Sequence, residues 1–445
     1  MSAPEKHDTH HKALSINLEE AIFGSFAEIG AGQEVARWFF RVGGASGTVA
    51  KTISAYDKEV SDDLYGAGTR YVSKPRLQAM LDNEWAQLLS QLHASRGANT
   101  KFFSFVDTVS ARNYAGTNEC HGWVGLRFQL QPGAEPNDVI LHVNLRDNTN
   151  LRQQEAVGIL GVNLLYAMHH SNGSPEELLA GIFEDLGLHR LEIDSVDLSG
   201  PLFNSWDRGR IHAYLVSGNY AEAVVFPTDE ELLPPCELLH KRALVFAPAR
   251  LENVDQLHEN LIRETLAQLP QEELKETRGG LGLFGLAIAG AGDKGATAIA
   301  EDVVKSVAAL HKLGYGVMLF RAQELYTMSA YANRYTKSRI HFAVGLSALV
   351  RVFQDQYKEL DGSVLEGVAR LFTQNVRLTV YPISSQDAQK MAASAGLTAW
   401  RWEETNGMVY ADDLQPAEPL NHLYRYLLGN RFILPVRPAK STSAT

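Results

Sequence analysis

Cysteine is close to absent: Cys120 and Cys236 are the two in 445 residues. Two thiols build no disulfide framework, and such scarcity points to a reducing compartment. Long apolar runs are missing too. The longest, LGLFGLAIAGAG from Leu281, is shorter than a bilayer span and runs straight into Asp293 and Lys294. The opening stretch, MSAPEKHDTHHK, lacks the apolar core of a secretion signal. A cytoplasmic protein with no membrane span is the expectation. Positive charge is also short, with 41 Lys plus Arg against 52 Asp plus Glu, a net of -11. The deficit is local. Residues 1–270 hold 22 basic against 35 acidic side chains, a balance of -13, and the remainder holds 19 against 17, or +2. Duplex binding needs a cationic face, so nucleic acid is not expected as a partner.

What is present is the composition of a globular protein, 45% hydrophobic and 9% aromatic, long enough for two or three domains at roughly 100–200 residues each. Polar, aperiodic ends at 1–14 and 438–445 read as disordered tails. His7, His10 and His11 in the first tail have no companion ligand that would make them a metal site. Phe102–Val106, Trp123–Leu130 and Val139–Leu145 alternate with period two, and Pro132-Gly133 supplies a turn, which predicts an antiparallel meander. Asn150 is an N-cap candidate with Gln153 as its reciprocal partner, and Gly158 and Gly161 let the following helix approach a neighbour closely. Ser174-Pro175-Glu176-Glu177 opens another helix.

Seven glycines between Gly279 and Gly295 mark 271–297 as a linker or surface loop dividing a mixed α/β domain (15–270) from a second one (298–437). In the second, strands at 316–321, 339–344 and 376–382 alternate with helices. The fold class is therefore α/β: a mixed α+β first part with an antiparallel meander and a Rossmann-like, doubly wound second part.

Local chemistry is sparse. Gly43 to Thr52 (GGASGTVAKT) imitates a phosphate loop, but Ala45 and Ala50 stand where glycine is required, so their Cβ atoms obstruct the cradle. In TNECHGW, Cys120 and His121 are sequence neighbours and point to opposite faces of an extended chain, which excludes a direct dyad. Asn118, Glu119 and His121 form a polar cluster entering a strand. The best local candidate is Arg146-Asp147-Asn148-Thr149-Asn150, a strand end feeding a helix N-terminus, where free amides suit an anion. Asp147 and His121 are the proton-transfer candidates, and Asp147 is the carboxylate that would hold magnesium. Lys51, Asn118, Glu119, Arg146, Asn148, Asn150, Arg321 and Lys337 are the ligand-binding candidates, the last two at loops of the α/β second part. Asp194 and Asp197, three apart, read as exposed residues facing opposite ways at a strand end.

The strings RVGGASGTVAKTISAYD, RYVSKPRLQAMLDNEW, TNECHGWVGLRFQ, DVILHVNLRDNTNLRQQEAVGILGVNLLYA and RYTKSRIHFAVGLSALVRVF, from about Ala21 to Pro435, resemble a widespread bacterial family. Its members go by two incompatible names, nicotinate-nucleotide adenylyltransferase and TonB-dependent receptor. The second implies a β-barrel of many amphipathic strands, which this chain does not have. The first implies a His-x-Gly-His motif and a later Ile-Ser-Ser-Thr-x-x-Arg motif. No His-x-Gly-His occurs, and Ile383-Ser384-Ser385 matches three positions, with Lys390 displaced by one from the arginine. What the resemblance implies is a nucleotide-handling, Rossmann-like piece in the second part. Two functional expectations follow. One is a cytosolic protein that binds or transforms a small phosphorylated or nucleotide-like ligand, adenylyltransferase-like at best. The other is a self-associating scaffold, a homo-oligomer held through the apolar GLGLFGLAIAGAG segment.

Overall fold

Six short runs of β-branched and aromatic residues in the first half of the chain join into one sheet. In the computed structural model, which describes residues 8–68, 70–170, 174–228, 232–251, 256–289, 294–354, 357, 360–373, 375–395 and 400–437, they are β1 (Ile22–Ile29), β2 (Val49–Ile53), β3 (Lys101–Ser110), β4 (His121–Phe128), β5 (Asn137–Leu145) and β6 (Leu191–Ser199). Their order is β2-β1-β3-β4-β5-β6. β1 is parallel to β2 and β3, and every later pair is antiparallel, so the predicted meander exists as β3-β4-β5. The helices of this part are α1 (Thr9–Asn17), α2 (Glu34–Val42), α3 (Lys58–Tyr65), α4 (Lys74–Arg96), α5 (Asn150–His170), α6 (Pro175–Ile182) and α7 (Arg208–Ser217).

Period-two alternation gives the sheet two different faces. On one, Leu77, Met80 and Leu81 of α4 pack over Ala27, Val106, Trp123 and Ile140. On the other, Phe26 meets Phe39 of α2 and is flanked by Phe103 and Phe105. There α5 crosses α2 where Gly161 stands. A Cβ on Gly161 would lie 2.4 Å from Val35, which is the close approach its sequence predicts. Ser174 caps α6 as expected, its hydroxyl accepting the Glu177 amide at 3.3 Å.

Several expectations are corrected. The described part of the expected tail is helical: α1 begins at Thr9, and Asp8 caps it through the His11 amide. Lys12 is buried, its ammonium 2.6 Å from Glu184 and 2.7 Å from Asn163 of α5. A buried ion pair fixes what composition alone called solvated. Residues 1–7 and 438–445, with His7, lie outside the described residues. At the start of α5 the cap is Thr149, whose carbonyl accepts the Gln153 amide at 3.1 Å and whose hydroxyl faces the Arg152 amide at 3.4 Å. The Gln153 side chain instead bridges the Asp147 carbonyl and the Arg112 amide.

The 271–297 linker is corrected as well. Its core is a strand, β9. With β7 (Ala223–Phe226), β8 (Ala243–Arg250), β9 (Gly280–Ala287), β10 (Gly316–Phe320), β11 (Ile340–Gly345), β12 (Val376–Tyr381) and a last strand at Ile433–Pro435, a second sheet reads, from edge to edge, Ile433–Pro435, β12, β11, β8, β9, β10, β7. The pairs from Ile433–Pro435 through β10 are parallel. β9 is rich in glycine because a helix lies hard against it: a Cβ on Gly282 would stand 2.3 Å from Ile262 in the helix Gln256–Ala267. Leu283, Phe284 and Leu286 are buried, so the apolar segment behind the scaffold reading is spent in the core. Packing divides the chain into Met1–Val224 with Lys294–Glu301, and Val225–Asp293 with Asp302–Thr445, a division well ahead of the glycine-rich segment. No helix among the described residues is long and apolar enough to cross a membrane. Neither cysteine is in a disulfide.

Candidate functional site

Chain order and spatial order in the second sheet define where a ligand goes. From β8 the chain steps to β9 and then β10 in one direction, returns to the far side of β8 as β11, and continues to β12 and the last strand. This is the 3-2-1-4-5-6 order of a doubly wound dinucleotide-type fold, and the reversal between β8 and β11 opens a crevice at the carboxyl ends of the strands. A cavity of about 190 Å³ lies at that edge. Pro248, Ala249 and Arg250 end β8, Ala287 ends β9, Glu324 and Met328 follow β10, and Arg351 follows β11.

Two arginines characterise the cavity. Arg250 and Arg351 arrive from the two strands that flank the switch. Among the described residues, no carboxylate pairs with either. Partial shielding of the Arg351 guanidinium and the charge of Arg250 beside it hold Arg351 below the ordinary arginine range. The two guanidiniums thus stand side by side as like charges. Tyr357 adds an aromatic wall; its hydroxyl donates to the Val352 carbonyl at 2.9 Å, and burial pushes its phenol up to about 12. The volume is below the roughly 300–1,000 Å³ of sites that enclose a whole drug-sized ligand.

Sequence reasoning missed both arginines, since neither stands in a motif and they are brought together only by the strand order. A usable signal was present in the run Gly290-Ala-Gly-Asp-Lys-Gly295, which has G-x-G-x-x-G spacing between a strand and a helix. Gly290 to Asp293 lie outside the described residues. Of the expected second-part residues, Arg321 follows β10 at the carboxyl edge of the sheet but does not line the cavity. Lys337 precedes β11 and so stands at the amino edge, its ammonium donating to the Asn333 carbonyl. A residue before a parallel strand is at the wrong end for the crevice.

In the first part the expected residues are engaged in bonds within the protein. Asp147 accepts from Arg190 at 2.9 Å, and Arg146 spans Glu192 at 3.3 Å and Glu222 at 2.8 Å. These charges are neutralised within the protein, and the Asp147 carboxylate, expected as a magnesium ligand, is engaged through Oδ2 by Arg190. Burial, helped by Asp194, pushes Glu192 up to about 7. Asn150 donates to the Arg112 carbonyl. Asn118 bonds Ser110, Ala111 and the Asn113 amide and so staples the β3-β4 loop, while Glu119 is exposed. Asn148 belongs to the turn before α5. Lys51 is on β2, 2.6 Å from buried Glu84 and 2.9 Å from Gln87, lining a separate cavity of about 190 Å³.

His121 is different. Its Nδ1 is 3.0 Å from Nε2 of His142, and Nδ1 of His142 is 2.6 Å from Oδ1 of Asp194. The Asn144 amide donates to Oδ2 of the same aspartate at 2.8 Å. His142 and Asp194 are fully buried and His121 is half-buried. Desolvation and the neighbouring His142 push His121 down to about 4, so it is neutral at physiological pH. The expectation that Asp194 is exposed is overturned by a bulge: the β5-β6 register shifts after His142, and the extra residue on β6 is Asp194. The bulge turns Asp194 towards His142.

No family model matches the chain, and no curated protein matches it. Among solved structures, the chain is similar to the competence/damage inducible protein CihA from Agrobacterium tumefaciens at 19% identity, over 38% of this chain and 99% of that one, with a TM-score of 0.27. It is also similar to a competence-damaged protein (CinA) superfamily protein from Enterobacter cloacae at 12% identity, over 38% and 96%, with a TM-score of 0.27. Both likenesses cover a minor share of the chain and assign it no activity.

Proposed function

We propose that this is a cytosolic ligand-binding α/β protein whose second part holds the phosphate-bearing end of a small phosphorylated or nucleotide-like molecule at the β8/β11 switch point. The observation that carries the reading is the pair Arg250 and Arg351, adjacent and without a carboxylate partner among the described residues, at the edge of the sheet where this topology opens a crevice. Guanidinium pairs bind phosphate oxygens bidentately. Glu324, at the start of the helix Leu325–Tyr335, is positioned to accept from a hydroxyl of the same ligand.

Calorimetric titration with ribonucleoside mono- and diphosphates, nicotinate mononucleotide and ribose 5-phosphate tests the proposal. One saturable site per chain is expected. Arg250→Ala and Arg351→Ala are each expected to weaken it about 10–100-fold, the equivalent of about 1.5–3 kcal/mol for a charged hydrogen bond. Affinity is also expected to fall with added salt. Saturable binding that both variants leave unchanged places the site elsewhere, and no binding by any of these probes removes the reading.

A further inference from the structure

The histidine pair on β4 and β5 is not used by the proposed ligand site, and its geometry has a chemistry of its own. Two imidazoles present ring nitrogens to each other at 3.0 Å. One of them is oriented through its other nitrogen by a buried carboxylate at 2.6 Å, and that carboxylate is fixed in turn by Asn144. A carboxylate behind a histidine is the usual second layer of a metal centre, because it fixes the tautomer and ring angle and raises the donor strength of the free nitrogen. Trp123 closes one side, its ring edge-on to His142 at 4.9 Å between centroids.

We propose that His121, through Nδ1, and His142, through Nε2, are two ligands of a divalent transition-metal ion of the zinc class, with Asp194 as the positioning residue for His142. Tetrahedral zinc with bonds of about 2.0–2.1 Å places two ligand nitrogens roughly 3.3 Å apart, so the rings need to part by a few tenths of an ångström. On binding, the proton between the two rings is exchanged through solvent to Nε2 of His121, which frees Nδ1 for the metal and keeps the ring neutral, while His142 keeps its Nδ1 proton for Asp194. Imidazole donors select zinc, cobalt, nickel or copper over magnesium. The β-bulge at Asp194 is an independent structural mark, since a regular β6 would not set that carboxylate opposite the ring.

The test is cobalt(II) and zinc(II) titration of the full chain in a background where His7, His10 and His11 are changed to Gln, which removes binding by the amino-terminal histidines. One cobalt per chain is expected, with visible ligand-field absorption that zinc abolishes. His121→Gln, at the half-buried position, is expected to weaken binding at least tenfold. Asp194→Asn is expected to weaken it about 10–100-fold. Nitrogen-15 spectra of the histidine rings supply a readout that folding defects do not mimic: zinc is expected to shift Nδ1 of His121 and Nε2 of His142 and to leave Nδ1 of His142 protonated. Failure to bind either metal, or binding that is unchanged in His121→Gln, overturns the proposal.

Discussion

At the scale of single residues, the strongest tension is between Glu28 and Asp107, which stand opposite each other on β1 and β3. Glu28 accepts the Val35 and Ala36 amides at 2.9 Å at the start of α2, yet burial pushes it up to about 7. Asp107 has one bond, from the Ile29 amide at 3.1 Å, and an Oδ2 with no partner. Burial and the charge of Glu28 raise it well above the usual range. The folded state therefore holds a proton here that the unfolded chain releases, and stability falls as pH rises through the interval between the unfolded and folded values. Asp107→Asn keeps the acceptor for Ile29 and removes the charge. It is expected to flatten the loss of stability between pH 5 and pH 8 and to gain about 1–3 kcal/mol at pH 8, read as urea midpoints at the two pH values. A slope as steep as that of the parent would assign the burden to other acids, with Glu192 next in line.

Residues are also where sequence reading reached least far. His121 was recognisable because a histidine entering a strand beside Glu119 is unusual. His142 and Asp194, its partners in space, looked like ordinary members of alternating strands, since register and a bulge are decided by pairing across the sheet and leave no local mark. Arg146 and Asp147 carried the right chemistry for an anion or a metal but found counter-charges in Glu192, Glu222 and Arg190, which the sequence places far away.

At the scale of elements, β9 is the instructive case. Glycine density suggested a loop, and the outcome is a buried strand whose glycines give up side chains so that the helix Gln256–Ala267 can lie close. Gly282→Val tests which view holds. As a linker residue it would tolerate the change. As the contact point for Ile262 it is expected to cost about 1–3 kcal/mol through overpacking, measured by chemical denaturation. Elsewhere the elements were legible. The β3-β4-β5 meander, the α6 cap at Ser174 and the close crossing at Gly161 all follow from signals within a few residues of each other.

At the scale of the whole molecule, the sheet built from β8 to the last strand is continuous across the segment expected to divide the chain. A fragment beginning at residue 298 omits β8, one of the two strands that flank the switch point, together with β9, and leaves β11 without its inner neighbour. Such a fragment, 298–437, is expected to show no cooperative unfolding transition and to bind none of the nucleotides, as measured by circular dichroism and calorimetry. Cooperative unfolding of that fragment would contradict the continuous sheet.

The sequence by itself determined what depends on near neighbours: an α/β chain, the β3-β4-β5 meander, the α6 cap at Ser174 and an acidic first part. Tertiary structure alone decided the strand order that brings Arg250 to Arg351, the bulge that turns Asp194 to His142, and the fate of the glycine-rich run. The reason is physical. Propensity and period act over a few residues, whereas a site is made by pairing and burial between segments tens to a hundred residues apart.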